Sequence, residues 1–214
     1  MKLEKRQRIL FFGDSITDAG RDRSNALDLG KGFPFIVNAT LQAMAPTYEL
    51  TCINRGISGD QIQDLIERFD SDCDALKPDA IILLIGINDV WHHVDDADFA
   101  DLKQTIRFEK EYRELLTRMQ AVTSNILILE PFLLHEPQDR AAWRVSLDPK
   151  IQVIRKLAQE FSCEFIALDG YFTQLALETT ARYYTGDDGV HPTAAGHYVI
   201  AQKIIEKIEL VPYD

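Results

Sequence analysis

Ser15 stands in Phe11-Phe12-Gly13-Asp14-Ser15-Ile16-Thr17, and near the other end of the chain is Asp188-Gly189-Val190-His191-Pro192. A serine hydroxyl is a poor nucleophile at neutral pH unless a base takes its proton, and a histidine base needs a carboxylate to fix its tautomer. Ser15, His191 and Asp188, the last three residues before the histidine, supply those parts. The chemistry they suggest is serine hydrolysis through a covalent acyl intermediate.

Acyl transfer also needs donors aimed at the oxyanion of the tetrahedral intermediate. Two segments offer them. Asn54-Arg55-Gly56-Ile57-Ser58-Gly59-Asp60 contains Gly59, which has no side chain and lets a backbone N–H approach a substrate closely. Gly86-Ile87-Asn88-Asp89 contributes the Asn88 amide, a neutral donor. The Gly-x-Ser-x-Gly elbow of the α/β-hydrolases is absent from the sequence.

These residues need a scaffold. Five short apolar runs read as strands: Ile9–Phe12, Leu50–Asn54, Ala80–Ile85, Ile126–Glu130 and Glu164–Leu168. Helical periodicity follows them. From Arg107 to Thr123, Phe108, Tyr112, Leu115, Leu116, Met119 and Val122 share one stripe, and Asp148 to Phe161 repeats the pattern with Ile151, Ile154, Leu157, Ala158 and Phe161. Thr193 is the expected N-cap of a last helix, because Pro192 cannot extend it backwards. Strands alternating with helices predict a three-layer α/β/α sandwich with a mainly parallel five-stranded sheet. Ser15, Gly59 and Asn88 then fall just past strand ends, on the carboxyl edge where such sheets bind ligands.

The ordered set of Gly13-Asp14-Ser15, Gly59, Gly86-Ile87-Asn88-Asp89 and Asp188-Gly189-Val190-His191-Pro192 resembles the SGNH (GDSL-type) hydrolase family across residues 11 to 192. The resemblance implies the family's flavodoxin-like fold, with Ser15 as nucleophile, His191 as general base and acid, and Asp188 rather than Asp187 as orienting carboxylate. It also implies an oxyanion hole from the Ser15 and Gly59 N–H groups and the Asn88 side chain. Longer strings, Gly13 to Arg21, Leu29 to Phe33, Asn54 to Gly59, Gly86 to Trp91 and Val190 to His197, are similar to the intracellular bacterial acetylxylan esterases of the family. That similarity implies a homo-oligomer that deacetylates small carbohydrate substrates such as xylo-oligosaccharides. Asp14, Arg55, Asp60 and Trp91 are the candidates for binding substrate. A broad carboxylesterase, thioesterase or lysophospholipase would use the same machinery.

The 214 residues suit one domain, 1–214, because no linker or repeat interrupts them. A net charge of −11 argues against nucleic acid or an anionic membrane as partner. The charged N-terminus holds no apolar stretch of secretory length, and the three scattered cysteines suit a reducing compartment, so a cytoplasmic location is expected. No cofactor or metal is implied. His92 and His93 read as pocket-rim residues and His197 as packing, while Trp91 fits a sugar-stacking or a core role equally. Phe132, Leu133 and Leu134 read as packing, and Arg21 and Arg55 as loop supports or substrate donors. A binding module that keeps the fold without the chemistry has no need of the whole set. A flavodoxin-like nucleotide binder would want a Gly-rich phosphate loop, which the chain lacks.

Overall fold

A computed structural model describes residues 1–212. Its seven strands are β1 (Lys2–Leu3), β2 (Arg8–Gly13), β3 (Thr51–Gly56), β4 (Ala80–Leu84), β5 (Ile126–Leu129), β6 (Glu164–Ile166) and β7 (Glu209–Leu210). The helices are α1 (Ser15–Asp18), α2 (Phe33–Met44), α3 (Ile62–Glu67), α4 (Phe69–Asp72), α5 (Asn88–Trp91), α6 (Leu102–Val122), α7 (Arg144–Glu160), α8 (Leu168–Glu178), α9 (Ala181–Thr185) and α10 (Ala194–Ile205). Five strands form one wholly parallel sheet in the order β3-β2-β4-β5-β6. β1 and β7 pair separately and tie the two ends of the chain together.

Alternate side chains of a strand face opposite sides, so β2 feeds two cores at once. Ile9 and Phe11 pack with Phe33, Val37 and Leu41 of α2 and Ile200 and Ile204 of α10. Leu10 and Phe12 pack with Ile62 and Leu65 of α3 and with Phe108, Tyr112 and Leu116 of α6. Burial on both faces is why the central strands β2, β4 and β5 read as unbroken apolar runs, while the edge strand β3 alternates.

The five expected strands all form, within two residues at either end. Two helices begin earlier than their apolar stripes. α6 starts at Leu102 because the Asp101 carboxylate accepts from the Lys103 N–H at 2.8 Å and caps it. α7 starts at Arg144, where the buried Ser146 and Leu147 already anchor its first turn, and carries Pro149 inside it, one helical hydrogen bond to the Val145 carbonyl being forgone there. Thr193 is the N-cap of α10, its hydroxyl accepting from the Gly196 N–H.

The strand order places a topological switch between β2 and β4. From β2 the chain crosses to β3 on one side, then returns to lay β4 on the other. Crevices open at the carboxyl ends of strands at such a point. Ser15 follows β2, and Asn88 follows β4.

Candidate active site

Asp14 turns the chain as it leaves β2. Its Oδ1 accepts from the Ile16 N–H at 2.9 Å, which caps α1 and sets Ser15 at the helix's first position. Ser15 Oγ lies 2.9 Å from His191 Nε2. On the other side of the ring, His191 Nδ1 lies 2.6 Å from Asp188 Oδ2. Asp188 Oδ1 accepts from the backbone N–H groups of Val190 and His191, both at 2.8 Å. A ring that donates from Nδ1 to the carboxylate presents its Nε2 lone pair to the serine hydroxyl. Asp187 points away, 84% exposed and paired with Arg182 at 2.9 Å.

The electrostatics follow from these contacts. The hydrogen bond to Asp188 raises the His191 imidazole above its ordinary value despite partial burial, and the Asp14 charge adds to the rise. Burial works to raise the Asp188 carboxyl, but the hydrogen bonds from His191 and Val190 outweigh it and hold the group below the usual carboxylate range. Beneath Ser15, burial pushes the Asp14 carboxyl up to about 7. Its Oδ2 has no hydrogen-bond partner among the described residues.

Asn88, the first residue of α5, is buried and donates from Nδ2 to the Asp60 carbonyl at 3.0 Å. One amide hydrogen thus fixes the plane of the group, leaving the other to point elsewhere. Arg68 secures this corner from below, donating from Nε to Asp60 Oδ2 at 2.7 Å and from a terminal nitrogen to the Gly13 carbonyl at 3.1 Å. Gly59 adopts φ +92°, a conformation that an L side chain would strain, and lies with Asn88 against the nucleophile.

Two clefts meet at Ser15 and His191. One, of about 410 Å³, is lined by Ser58, Gly59, Asn88, Trp91 and His92. The other, of about 520 Å³, extends past Gly20, Lys31, Pro192, Ala194 and His197. Both volumes lie in the range of small-molecule sites.

The structure brings together Ser15, Asp188, His191, Gly59, Asn88 and Trp91. Three proposed substrate contacts, Asp14, Asp60 and Arg55, do not line either of these two clefts. Asp14 is fully buried under the nucleophile as a helix cap. Asp60 is paired with Arg68 and holds Asn88 through its carbonyl. Arg55 folds back onto the Asn54 carbonyl at 2.9 Å, beside Asp72, and Arg21 supports the Gly56 carbonyl.

Trp91 lines a cleft and packs on the core, tilted 5.6 Å from the His191 ring. Phe132, Leu133 and Leu134 are buried packing. His197 accepts from the Phe33 N–H at 3.2 Å, and burial pushes it down to about 4. His93 is held between Asp96 and Gln61, while His92 sits on the cleft rim. Arg68, Arg140 and Lys31 near the site carry no local motif of their own. Only the Leu29-Gly30-Lys31-Gly32-Phe33 string touched one of them.

A parallel three-layer sheet with a serine, a histidine and a carboxylate in series at its switch point is the architecture of a carboxylic ester hydrolase, and the comparisons with known proteins give the same class. The chain belongs to the GDSL-like Lipase/Acylhydrolase family, whose model matches residues 11–199. It is 32% identical to the acetylxylan esterase of Geobacillus stearothermophilus over 97% of this chain and 96% of that one. The crystal structure of that organism's Axe2, an acetylxylan esterase, superposes with a TM-score of 0.84 at 30% identity, covering 97% of this chain and 96% of the other. A putative GDSL-like lipase from Parabacteroides merdae superposes at 0.85 with 32% identity, covering 95% and 96%. An α/β hydrolase enzyme from the metagenome of Lake Arreo, Spain, does so at 0.84 with 30% identity, covering 95% of each chain. Axe2 has also been solved as catalytic mutants in which a serine, an aspartate, or a histidine three residues beyond that aspartate is replaced by alanine.

Proposed function

We propose that this esterase removes acetyl groups from small carbohydrate esters, such as acetylated xylo-oligosaccharides, through an acyl-Ser15 intermediate. The observation that carries the reading is the continuous Ser15–His191–Asp188 series, at 2.9 and 2.6 Å, opening onto two clefts. The catalytic mutants of Axe2 support the same roles, since Asp188 and His191 repeat that spacing.

In the first half-reaction His191 Nε2 takes the Ser15 proton as Oγ attacks the ester carbonyl carbon. The carbonyl oxygen becomes an oxyanion facing the Ser15 and Gly59 N–H groups and the free hydrogen of the Asn88 amide. These donors are preorganised, so they stabilise charge that exists only near the transition state. The imidazolium, paired with Asp188, then gives its proton to the departing sugar oxygen as the tetrahedral intermediate collapses. In the second half-reaction His191 deprotonates water, which attacks the acyl-serine. Collapse returns the proton to Ser15 and releases acetate.

The two clefts divide the substrate. The leaving oxygen must lie against His191 and away from the oxyanion donors, so the sugar extends into the larger cleft beside Pro192 and Lys31. The acyl group then faces Trp91 and His92. We further propose that the enzyme works in the cytoplasm, where its three free thiols stay reduced, as one hydrolase domain per chain in a homo-oligomer. A hydrolysis screen tests the substrate. Acetylated xylo-oligosaccharides and nitrophenyl acetate should be turned over with far higher kcat/KM than nitrophenyl octanoate. Preference for octanoyl esters or acyl-CoAs would replace this reading with that of a lipase or thioesterase.

A further inference from the structure

The chain between β5 and α7 doubles back over the carboxyl edge and lies against the loop that carries Asp188 and His191. The Leu134 N–H donates to the Gly189 carbonyl at 2.9 Å. Arg140, from the helical turn Gln138–Trp143, reaches the same loop with its side chain: Nε donates to the Asp188 carbonyl at 2.9 Å. Its guanidinium also lies 4.0 Å from the centre of the Trp143 ring and 5.3 Å from that of Trp91. The two indoles are 5.3 Å apart, and Trp91 packs in turn on the His191 ring.

The one carboxylate paired with this cation among the described residues holds it loosely. Its side chain is 13% exposed, while Asp139, its ion-pair partner at 3.5 Å, is 71% exposed, and pairs of that kind hold weakly. What fixes Arg140 is a carbonyl on one edge and two aromatic faces. That arrangement suits a planar guanidinium and not an ammonium. His191 and Asp188 need such support, because their side chains are 45% and 33% exposed. Solvent on that side places no limit on the ring.

We propose that Arg140 is a positioning residue for the esterase reaction. Through the Asp188 carbonyl it sets the carboxylate, and through Trp91 it sets the face of the imidazole, so that Nε2 stays within hydrogen-bond reach of Ser15 Oγ. The proposal rests on His191 being the base. Misplacing a reacting group by about 1 Å can cost about 10²-fold in rate.

The test uses Arg140→Ala and Arg140→Lys with nitrophenyl acetate from about pH 5 to 9, counting active sites by fluorophosphonate labelling. Expected for Arg140→Ala is a kcat per labelled site lower by about 10–100-fold with KM changed by less than about twofold. The acid limb of kcat/KM should move to lower pH, because a looser Asp188 bond raises the imidazole less. Loss of positive charge alone would move the limb the other way. Loss of folded protein would lower the number of labelled sites and leave the limb in place. The groups facing His191 are unchanged in these variants: Asp188 and Asp14, the neutral His197, and Lys31 and His92 on the cleft walls.

Arg140→Lys keeps the charge without the plane and should show the same shift in smaller measure. Added guanidinium ion should restore part of the rate to Arg140→Ala and none to the wild type. Arg182→Gln, which removes exposed pairs with Glu136 and Asp187 in the same region, should leave rate and limb unmoved. If Arg140→Ala labels too poorly to assay, Arg140→Lys decides alone. The proposal is overturned if kcat per labelled site stays within about twofold of wild type, or if the limb holds or rises. If the wild type shows no acid limb, or Ser15→Ala remains active, the fault lies in the assignment of the triad, not of Arg140.

Discussion

Asp188 and His191 stand three residues apart and meet twice: Oδ2 with the ring Nδ1 at 2.6 Å, and Oδ1 with the His191 backbone N–H at 2.8 Å. One carboxylate therefore orients both the ring and the peptide that carries it. The second contact limits where the ring can start from, and the first chooses its tautomer.

That double contact has a pH signature. His191 must be neutral to accept the Ser15 proton, and Asp188 raises its pKa, so kcat/KM should fall as pH drops through a value above the ordinary histidine value of about 6.5. The two partners act on stability with opposite pH preferences. A raised histidine stabilises the fold below its unfolded pKa, and that contribution disappears as pH rises through the folded value. The depressed Asp188 contributes above its unfolded pKa and loses its effect as pH falls through the folded one. Asp188→Asn should keep the fold but cost up to about 10⁴ in kcat, as tautomer control is lost. A rate profile flat from about pH 5 to 8 would exclude a histidine base.

Ser15→Ala should abolish fluorophosphonate labelling and nearly all turnover while leaving the melting temperature close to wild type. The substitution deletes one hydroxyl at a cleft surface and leaves the Asp14 cap intact. Residual hydrolysis from the oxyanion donors is expected. Near wild-type turnover of nitrophenyl acetate would place the nucleophile elsewhere.

Asn88→Ala should lower kcat by about 10²–10³ with little change in KM, the mark of a donor used in the transition state. The variant also leaves the Asp60 carbonyl without its partner, so thermal unfolding should be followed beside the kinetics. A raised KM at constant kcat would make Asn88 a ground-state binder instead.

Gly189→Ala should damage the site from a distance. Gly189 sits at φ +78°, and a Cβ there would collide with the Leu134 and Glu136 carbonyls. The loop must shift, taking Asp188 and His191 with it. The expected result is a destabilisation of at least about 1 kcal/mol together with a fall in kcat, measured by denaturant unfolding and steady-state kinetics. Unchanged stability and activity would show that the loop adapts freely.

Features that arise from neighbouring residues were legible in the chain before it folded. Unbroken apolar runs marked the central strands β2, β4 and β5 because both faces of the sheet are covered there, and Thr193 before an apolar stripe marked a cap. The Asp-x-x-His spacing was legible for the same reason, since Asp188 and His191 interact within one turn of chain. Tertiary structure decided the rest. Asp14, Arg55 and Asp60 lie within or beside the motifs, yet their side chains turn inward to a helix cap, a carbonyl and Arg68. Polar side chains so close to strand ends can face the cleft or the frame, and which they do depends on what packs behind them. Arg68 and Arg140 were invisible for a related reason: their partners Gly13 and Asp188 lie 55 and 48 residues away, and no local spacing encodes such meetings. Ser15 and His191, 176 residues apart, were paired from their chemistry alone, but only the order of strands around the switch point brings the hydroxyl to the ring.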